Sequence, residues 1–342
     1  MTADIIRRVV RAIAEGSQED LGRLATTIVD RERRSGHGKL ADELDAILRK
    51  PRPRPPAKPS PTASGHSLKE LPLSRRLGES LATLERPESL EHHMVLPSAT
   101  EERFARIEAE YAARERLGIY GLQPRRTVLL YGPPGCGKSL GAKRLAWATG
   151  LPLMKVKFDA LLSSYFGESA ANLRSIFGAA KDTPCVLLLD ECDFIARSRT
   201  NSRDIGEASR IVNTLLQLME EYDAPGLLVA TTNVESSLDS ALFRRFDEVF
   251  LVPLPGPEQV EHLLRLTLSS IEIEGAVDWA GLVRRLHGAP AAMVVKAARD
   301  AAKAAVLTGG RSVSEANLLH AVADLQKALD SSKESLTDGQ RT

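Results

Sequence analysis

Residues 128–148 leave the chain little freedom of architecture. Val128-Leu129-Leu130-Tyr131 reads as a buried strand, and it runs directly into Gly132-Pro133-Pro134-Gly135-Cys136-Gly137-Lys138-Ser139, after which Leu140 to Ala148 reads as a helix. Strand, glycine-rich loop and helix in that order make a complete phosphate-binding P-loop in its required context. Glycines let successive backbone N–H groups curl around a phosphate at a helix N-terminus, where the helix dipole also favours an anion. Lys138 is then placed to reach the β and γ phosphates, Ser139 to ligate Mg²⁺, and the run through Leu140 to supply the remaining nucleotide contacts. At Cys136 side-chain identity matters little.

A parallel sheet follows from what surrounds this loop. From Pro87 to Pro255 strands rich in Val and Leu alternate with helical stretches, the pattern of a parallel α/β sheet. Cys185-Val186-Leu187-Leu188-Leu189 is a second buried strand, ending in Asp190 and Glu191. Carboxylates at the C-terminal edge of a parallel strand face the ligand crevice, so Asp190 is expected to hold Mg²⁺ and Glu191 to polarise an attacking water. A third strand, Leu227 to Thr232, ends at Asn233, whose amide could bridge the γ phosphate and that water or simply form a turn. Arg244 and Arg245 then stand side by side just before another apolar strand, Glu248 to Val252. Paired guanidinium groups suit the neutralisation of a transferring phosphoryl group.

With these four motifs in order, the stretch from about Pro87 to Ala328 resembles the AAA ATPases, the AAA clade of the AAA+ P-loop NTPases, and in particular their short bacterial members. The resemblance implies a RecA-like α/β domain, a helical lid, and ATP held at a subunit boundary of a homo-oligomeric, hexameric ring. Arg244 and Arg245 would act as fingers on the neighbour's ATP; many members carry a Pro-Gly insertion between these arginines, absent here, and which one reaches the γ phosphate stays open. Ser164-Tyr165-Phe166-Gly167-Glu168-Ser169 resembles the loop that projects into the ring's pore and grips extended polypeptide, with Tyr165, Phe166 and Gly167 as the gripping unit; packing in the core is the other reading of the two aromatics. Arg197 to Arg203 would be a second pore loop or a solvated charged one. In the lid, Gly288-Ala289-Pro290-Ala291-Ala292 aligns with the family's adenine-packing Gly-x-Ser-Gly-Ala segment, although Pro290 replaces the serine and Met293 the usual aspartate. That leaves Gly288 and Ala292 as candidate adenine contacts. Tyr120 and Gly121, ahead of the P-loop, are in the region expected on the base's other side, and Tyr120 could equally be packing structure.

Five segments are expected: a helical recruitment domain over 1–50, a proline-rich linker and connector over 51–86, the nucleotide-binding domain over 87–255, a helical lid over 256–329, and a disordered tail over 330–342. In the first, apolar residues at helical spacing break at Gly16-Ser17 and Gly36-His37-Gly38. Pro51 to Pro61 lacks too many amide hydrogens for helix or ladder. Its interleaved Arg49, Lys50, Arg52, Arg54 and Lys58 could touch nucleic-acid phosphates, but no aromatic is present to stack a base, and keeping the linker solvated explains them as well. Overall, 46 basic against 45 acidic side chains give a net charge of +1, so no global field draws the chain to nucleic acid or an anionic membrane. No apolar run approaches the roughly 20 residues that span a bilayer, and Asp4, Arg7 and Arg8 interrupt any signal-peptide pattern. A cytoplasmic location without membrane insertion is expected. The three cysteines, Cys136, Cys185 and Cys192, form no CxxC pair and predict neither disulfide nor zinc framework.

The function expected is ATP-driven remodelling or unfolding of a protein drawn through the pore, with the N-terminal helices recruiting it. Two rivals are a nucleotide-gated assembly scaffold regulating a partner enzyme such as a protease, and a helper ATPase on nucleic acid. Asp338 to Thr342 lacks the hydrophobic-Tyr-x ending that docks such proteins onto a proteasome-like chamber.

Overall fold

The chain divides into two compact units, Met1–Ser64 and Gly65–Thr342. The computed structural model describes residues 72–73, 78–162, 168–193, 205–233 and 244–338. The N-terminal helices, the proline linker, both candidate pore loops and the final four residues lie outside the described residues.

The second unit is built on a six-stranded sheet, formed by β1 (Ala82–Glu85), β2 (Thr127–Tyr131), β3 (Leu153–Val156), β4 (Val186–Leu189), β5 (Leu227–Thr232) and β6 (Glu248–Leu251) in the order β1-β3-β4-β5-β2-β6. All neighbours are parallel except the edge strand β1, which runs antiparallel to β3. The sheet therefore begins at Ala82, inside the segment expected to be connector. Ala82-Thr83-Leu84-Glu85 is too short for its alternation to be read as a strand, and pairing with β3 is what makes it one.

The central strands need no polar face because both sides are covered. Val128 and Leu130 of β2, Val186 and Leu188 of β4, and Leu227 and Val229 of β5 form one core with Phe104, Ile107 and Tyr111 of α1 (Ser98–Ala112). The short α2 (Arg114–Ile119) follows it, and α3 (Lys138–Thr149) adds Ala142, Leu145 and Ala146 to the same face. The alternate residues Leu129, Leu187, Leu189, Leu228 and Ala230 point the other way. After the short α4 (Phe158–Leu162), α5 (Ser169–Asp182) brings Leu173, Ile176 and Phe177, and α6 (Ile205–Glu220) brings Val212 and Leu215, to cover them. Period-two burial on a parallel sheet with helices on both faces is a three-layer arrangement, in which each leucine run is apolar throughout because neither side meets water.

The lid comprises α7 (Pro257–Thr267), α8 (Trp279–Arg285), α9 (Ala291–Leu307) and α10 (Glu315–Asp338) around a separate core of Val260, Leu264, Leu282, Val294, Ala298 and Leu318. Start signals are explicit: Pro257 opens α7 after Gly256, and Asp278 caps α8 by accepting from the Gly281 N–H at 2.9 Å. Ser314 and Asn317 cap α10 reciprocally, Asn317 donating to the Ser314 Oγ while Ser314 donates to the Asn317 Oδ1. Two features depart from an all-helical lid with a disordered tail. A two-residue parallel ladder joins β7 (Glu272–Ile273) to β8 (Ser312–Val313), too short to leave a periodic trace in sequence. The last helix also continues to Asp338, through residues whose polarity suggested a tail. Among the described residues no helix is long and apolar enough to cross a membrane.

Candidate functional site

β2 delivers the chain to the C-terminal edge of the sheet, and Gly132 turns it. Its φ is +142°, and a Cβ there would lie 2.4 Å from the Val252 carbonyl oxygen after β6, so only glycine fits. Beyond it the loop wraps back onto the start of α3. None of the N–H groups from Gly135 to Ser139 donates to a protein acceptor among the described residues, and the first turn of a helix has no intrahelical partners for them. An unsatisfied row of donors at a helix N-terminus fits a phosphate chain. Lys138 is buried and its Nζ bends back to donate to the carbonyls of Gly132 and Pro133, both at 2.8 Å. Burial pulls its pKa below the ordinary lysine value, against the raising influence of its neighbours, Asp190, Asp193 and Glu191 among them.

Directly beside the loop, β4 is followed by Asp190. Its Oδ1 accepts from the Ser139 Oγ and from the Thr231 Oγ1, each at 2.7 Å, and its Oδ2 accepts from the Lys155 Nζ at 2.6 Å. Burial opposes its charge, but the hydrogen bonds from Lys155, Thr231 and Ser139 outweigh that and leave the carboxyl below the usual aspartate value. A hydroxyl and a carboxylate in contact are the hard oxygen donors that suit Mg²⁺, so the pair expected to hold a metal fits one.

Glu191 is the one non-glycine residue with positive φ among the described residues, at +57°. Its N–H donates to the Thr231 Oγ1 at 2.9 Å, and the Cys192 N–H to the Thr231 carbonyl at 2.8 Å, so the end of β5 holds the turn after β4 in place. The side chain of Glu191 stays exposed and lines the cleft. Asn233 lines the same cleft, fixed through Asp193, which accepts from both its backbone N–H (2.9 Å) and its Nδ2 (3.2 Å). Thr232 donates to the same Asp193 carboxylate.

These groups share a cleft of about 830 Å³. Lys138, Ser139, Asp190, Glu191, Thr231 and Asn233 line one end; the other is walled by 90–96, which precedes α1, and by Leu263, Thr267, Ala292 and Val295 of the lid. The lid is joined to the loop by a hydrogen bond from the Ala292 N–H to the Gly135 carbonyl at 2.9 Å, and a Cβ on Gly135 would sit 3.2 Å from that of Pro290. Ala292 thus lines the cleft. Gly288 does not: it is exposed, with φ +76°, and turns the chain from α8 towards α9 without lining the cleft. Tyr120 and Gly121 are also outside it. They precede β2 and so belong to the N-terminal edge of the sheet, a strand's length from the loop, with Tyr120 77% exposed. The wall expected of Tyr120 is formed instead by 90–96, an irregular stretch with no periodic signature. Thr231, Asp193 and Lys155 were equally invisible, because each becomes a partner only when β3, β4 and β5 lie side by side.

Arg244 and Arg245 are not in this cleft. They precede β6, at the N-terminal edge of the sheet, where Asp247 accepts from the N–H groups of Arg126 and Thr127 at the start of β2 (2.8 and 3.0 Å). Both line a second hollow, of about 740 Å³, with Leu122, Arg126 and Tyr222. Arg245 is half-buried, its Nε 2.7 Å from the Glu220 Oε1 at the end of α6, whereas Arg244 is exposed. The three cysteines are buried free thiols; burial alone pushes that of Cys185 up to about 12.

The model of the ATPase family associated with various cellular activities (AAA) matches residues 128–254. An uncharacterised AAA family ATPase, y4kL, of Sinorhizobium fredii is 33% identical over 309 residues, which is 90% of this chain and 91% of that protein. A proteasome-activating nucleotidase of Methanosarcina mazei is 32% identical over 257 residues, covering 73% of this chain and 58% of its own length.

Proposed function

This chain belongs to the AAA family of ATPases and hydrolyses ATP, and from that premise we propose that it works as a ring of identical subunits that remodels or unfolds protein substrates. One observation carries the ring: the two arginines suited to a transferring phosphoryl group lie outside the cleft that contains the rest of the machinery. A five-residue strand, on the order of 16 Å, separates the two edges of the sheet, so these guanidinium groups serve a neighbour's nucleotide rather than their own. Arg244, exposed, is the one that reaches across; Arg245, tied to Glu220, braces it.

Within each cleft the loop N–H groups and Lys138 bind the phosphates, and Ser139 and Asp190 would hold Mg²⁺, which would supply charge neutralisation. Glu191 orients the attacking water, and Asn233, aimed by Asp193, holds it near the γ phosphate. The adenine end is closed by 90–96 and the lid, so that loss of the γ phosphate can be felt in the lid through the Gly135–Ala292 link. The likeness to a proteasome-activating nucleotidase supports work on proteins, with Tyr165, Phe166 and Gly167 as the gripping loop and the N-terminal helices recruiting the substrate.

Two experiments test this. Lys138→Ala and Arg244→Ala subunits, each inactive alone, should regain part of the ATPase activity when mixed, since one supplies the finger and the other an intact cleft; no recovery from a mixture shown to co-assemble would remove the shared site. Tyr165→Ala should keep basal ATP turnover while unfolding of a tagged globular substrate stops. Parallel loss of both activities would argue against threading.

A further inference from the structure

Asp190 carries a protein cation of its own. The Lys155 ammonium comes from β3, the strand beside β4 in the sheet, and lies 2.6 Å from the Asp190 Oδ2. Asp190 is 11% exposed and Lys155 43%. Lys155 does not line the cleft, so it approaches the carboxylate from the β3 side while Ser139 and Thr231 occupy the other oxygen. None of the phosphate-binding or water-orienting roles above uses it. A buried carboxylate beside a triphosphate repels it unless a positive charge intervenes, and the screening of that repulsion is weak away from solvent.

We propose that Lys155 is a built-in counter-cation for Asp190 that lets the cleft bind nucleotide without a divalent ion and competes with that ion for the carboxylate. The two consequences have opposite signs. With Lys155 paired to it, Asp190 adds no net charge near the phosphates, so nucleotide affinity survives metal removal. The same ammonium repels an incoming dication and must give up an Asp190 oxygen to it, so the metal binds less tightly than it otherwise would. Lys155 is thus a positioning and charge-balancing residue. The proposal rests on the reading of the cleft as the ATP site, and its test keeps the two apart.

The measurement is the binding of a fluorescent N-methylanthraniloyl-ADP to the full chain, once in EDTA and once across a Mg²⁺ titration. Wild type should bind in EDTA with affinity within about tenfold of that in saturating Mg²⁺. Lys155→Met should lose on the order of tenfold in EDTA, the effect expected of one uncompensated, partly screened charge, and should reach half-saturation at a lower Mg²⁺ concentration. Lys155→Arg should restore both values. Unchanged EDTA affinity and unchanged Mg²⁺ half-saturation in Lys155→Met would overturn the proposal. Should Lys155→Met fail to fold, the comparison moves to Asp190→Asn, whose unbalanced Lys155 should tighten metal-free binding, against Asp190→Asn/Lys155→Met, which should return it to the wild-type value; equal binding by these two would also overturn it. Lys138→Ala should bind poorly with and without metal. Normal binding by Lys138→Ala would instead refute the cleft as the nucleotide site.

Discussion

Glu191 pairs an uncommon backbone with an exposed acid. Its left-handed φ of +57° costs a non-glycine residue on the order of 1–3 kcal/mol, and the strain is held by two bonds from the turn to Thr231. What the conformation secures is direction: Asp190 stays against Ser139 while the next carboxylate swings into the cleft. Glu191→Gln keeps the shape and removes the proton-accepting oxygen. It should leave nucleotide affinity near the wild-type value while turnover falls by roughly 10²–10⁴-fold, the usual range for a lost general base; equilibrium binding together with steady-state ATPase rates checks it, and an undiminished rate would remove Glu191 from the mechanism. Lys138 and Ser139 were legible as the end of the glycine-rich loop pattern, and Asp190 and Glu191 because they directly follow an apolar strand. Asp193 and Lys155 look like ordinary surface charges until neighbouring strands bring Asn233 and Asp190 to them.

Between elements, the clearest clamp joins α1 to α3, the helix that begins at the phosphate loop. Arg144 on α3 donates twice to Glu101 (both 2.6 Å) and once to Glu108 (2.8 Å), two turns apart on one face of α1, and its guanidinium lies 5.0 Å from the Phe104 ring centre between them. The hydrogen bond from Arg144 holds the Glu101 carboxyl below its ordinary value, against some burial. A carboxyl depressed on folding stabilises fully above the unfolded glutamate range, about pH 4.3, and that share is lost as pH falls through the lower folded value. Arg144→Met should therefore lower stability by about 1 kcal/mol at neutral pH, a figure kept small because Glu101 is half-exposed. The gap from wild type should narrow as pH drops below about 4.3. Urea unfolding at pH 7 and pH 3.5 reads both; a gap that stayed constant would mean that packing on Phe104, not charge, supplies the effect. The lid helices carry start signals in their sequence, at Pro257, Asp278 and Ser314, while β1 and the β7–β8 ladder carry none, since two to four residues are too few to show a period and only a partner strand defines them.

At the scale of the second unit the sheet separates two groups of residues by one strand's length. Its C-terminal edge collects the phosphate loop, Asp190, Glu191 and Asn233; its N-terminal edge collects Arg244, Arg245 and the exposed apolar residues Ile119, Tyr120 and Leu122. A parallel sheet makes this division unavoidable, because every residue just after a strand falls on one edge and every residue just before a strand on the other. The amino-acid sequence by itself determined the P-loop, the strand-ending carboxylates, the parallel α/β class and the helical lid, since each is a local pattern of residue type and spacing. Only the tertiary structure decided that 90–96 rather than Tyr120 walls the cleft, that Ala292 rather than Gly288 meets the loop, that Glu220 occupies Arg245, and that Lys155 answers Asp190. The residues of those contacts stand far apart in the chain, from Glu220 and Arg245 to Gly135 and Ala292, and their energies exist only once the sheet order has brought the segments together.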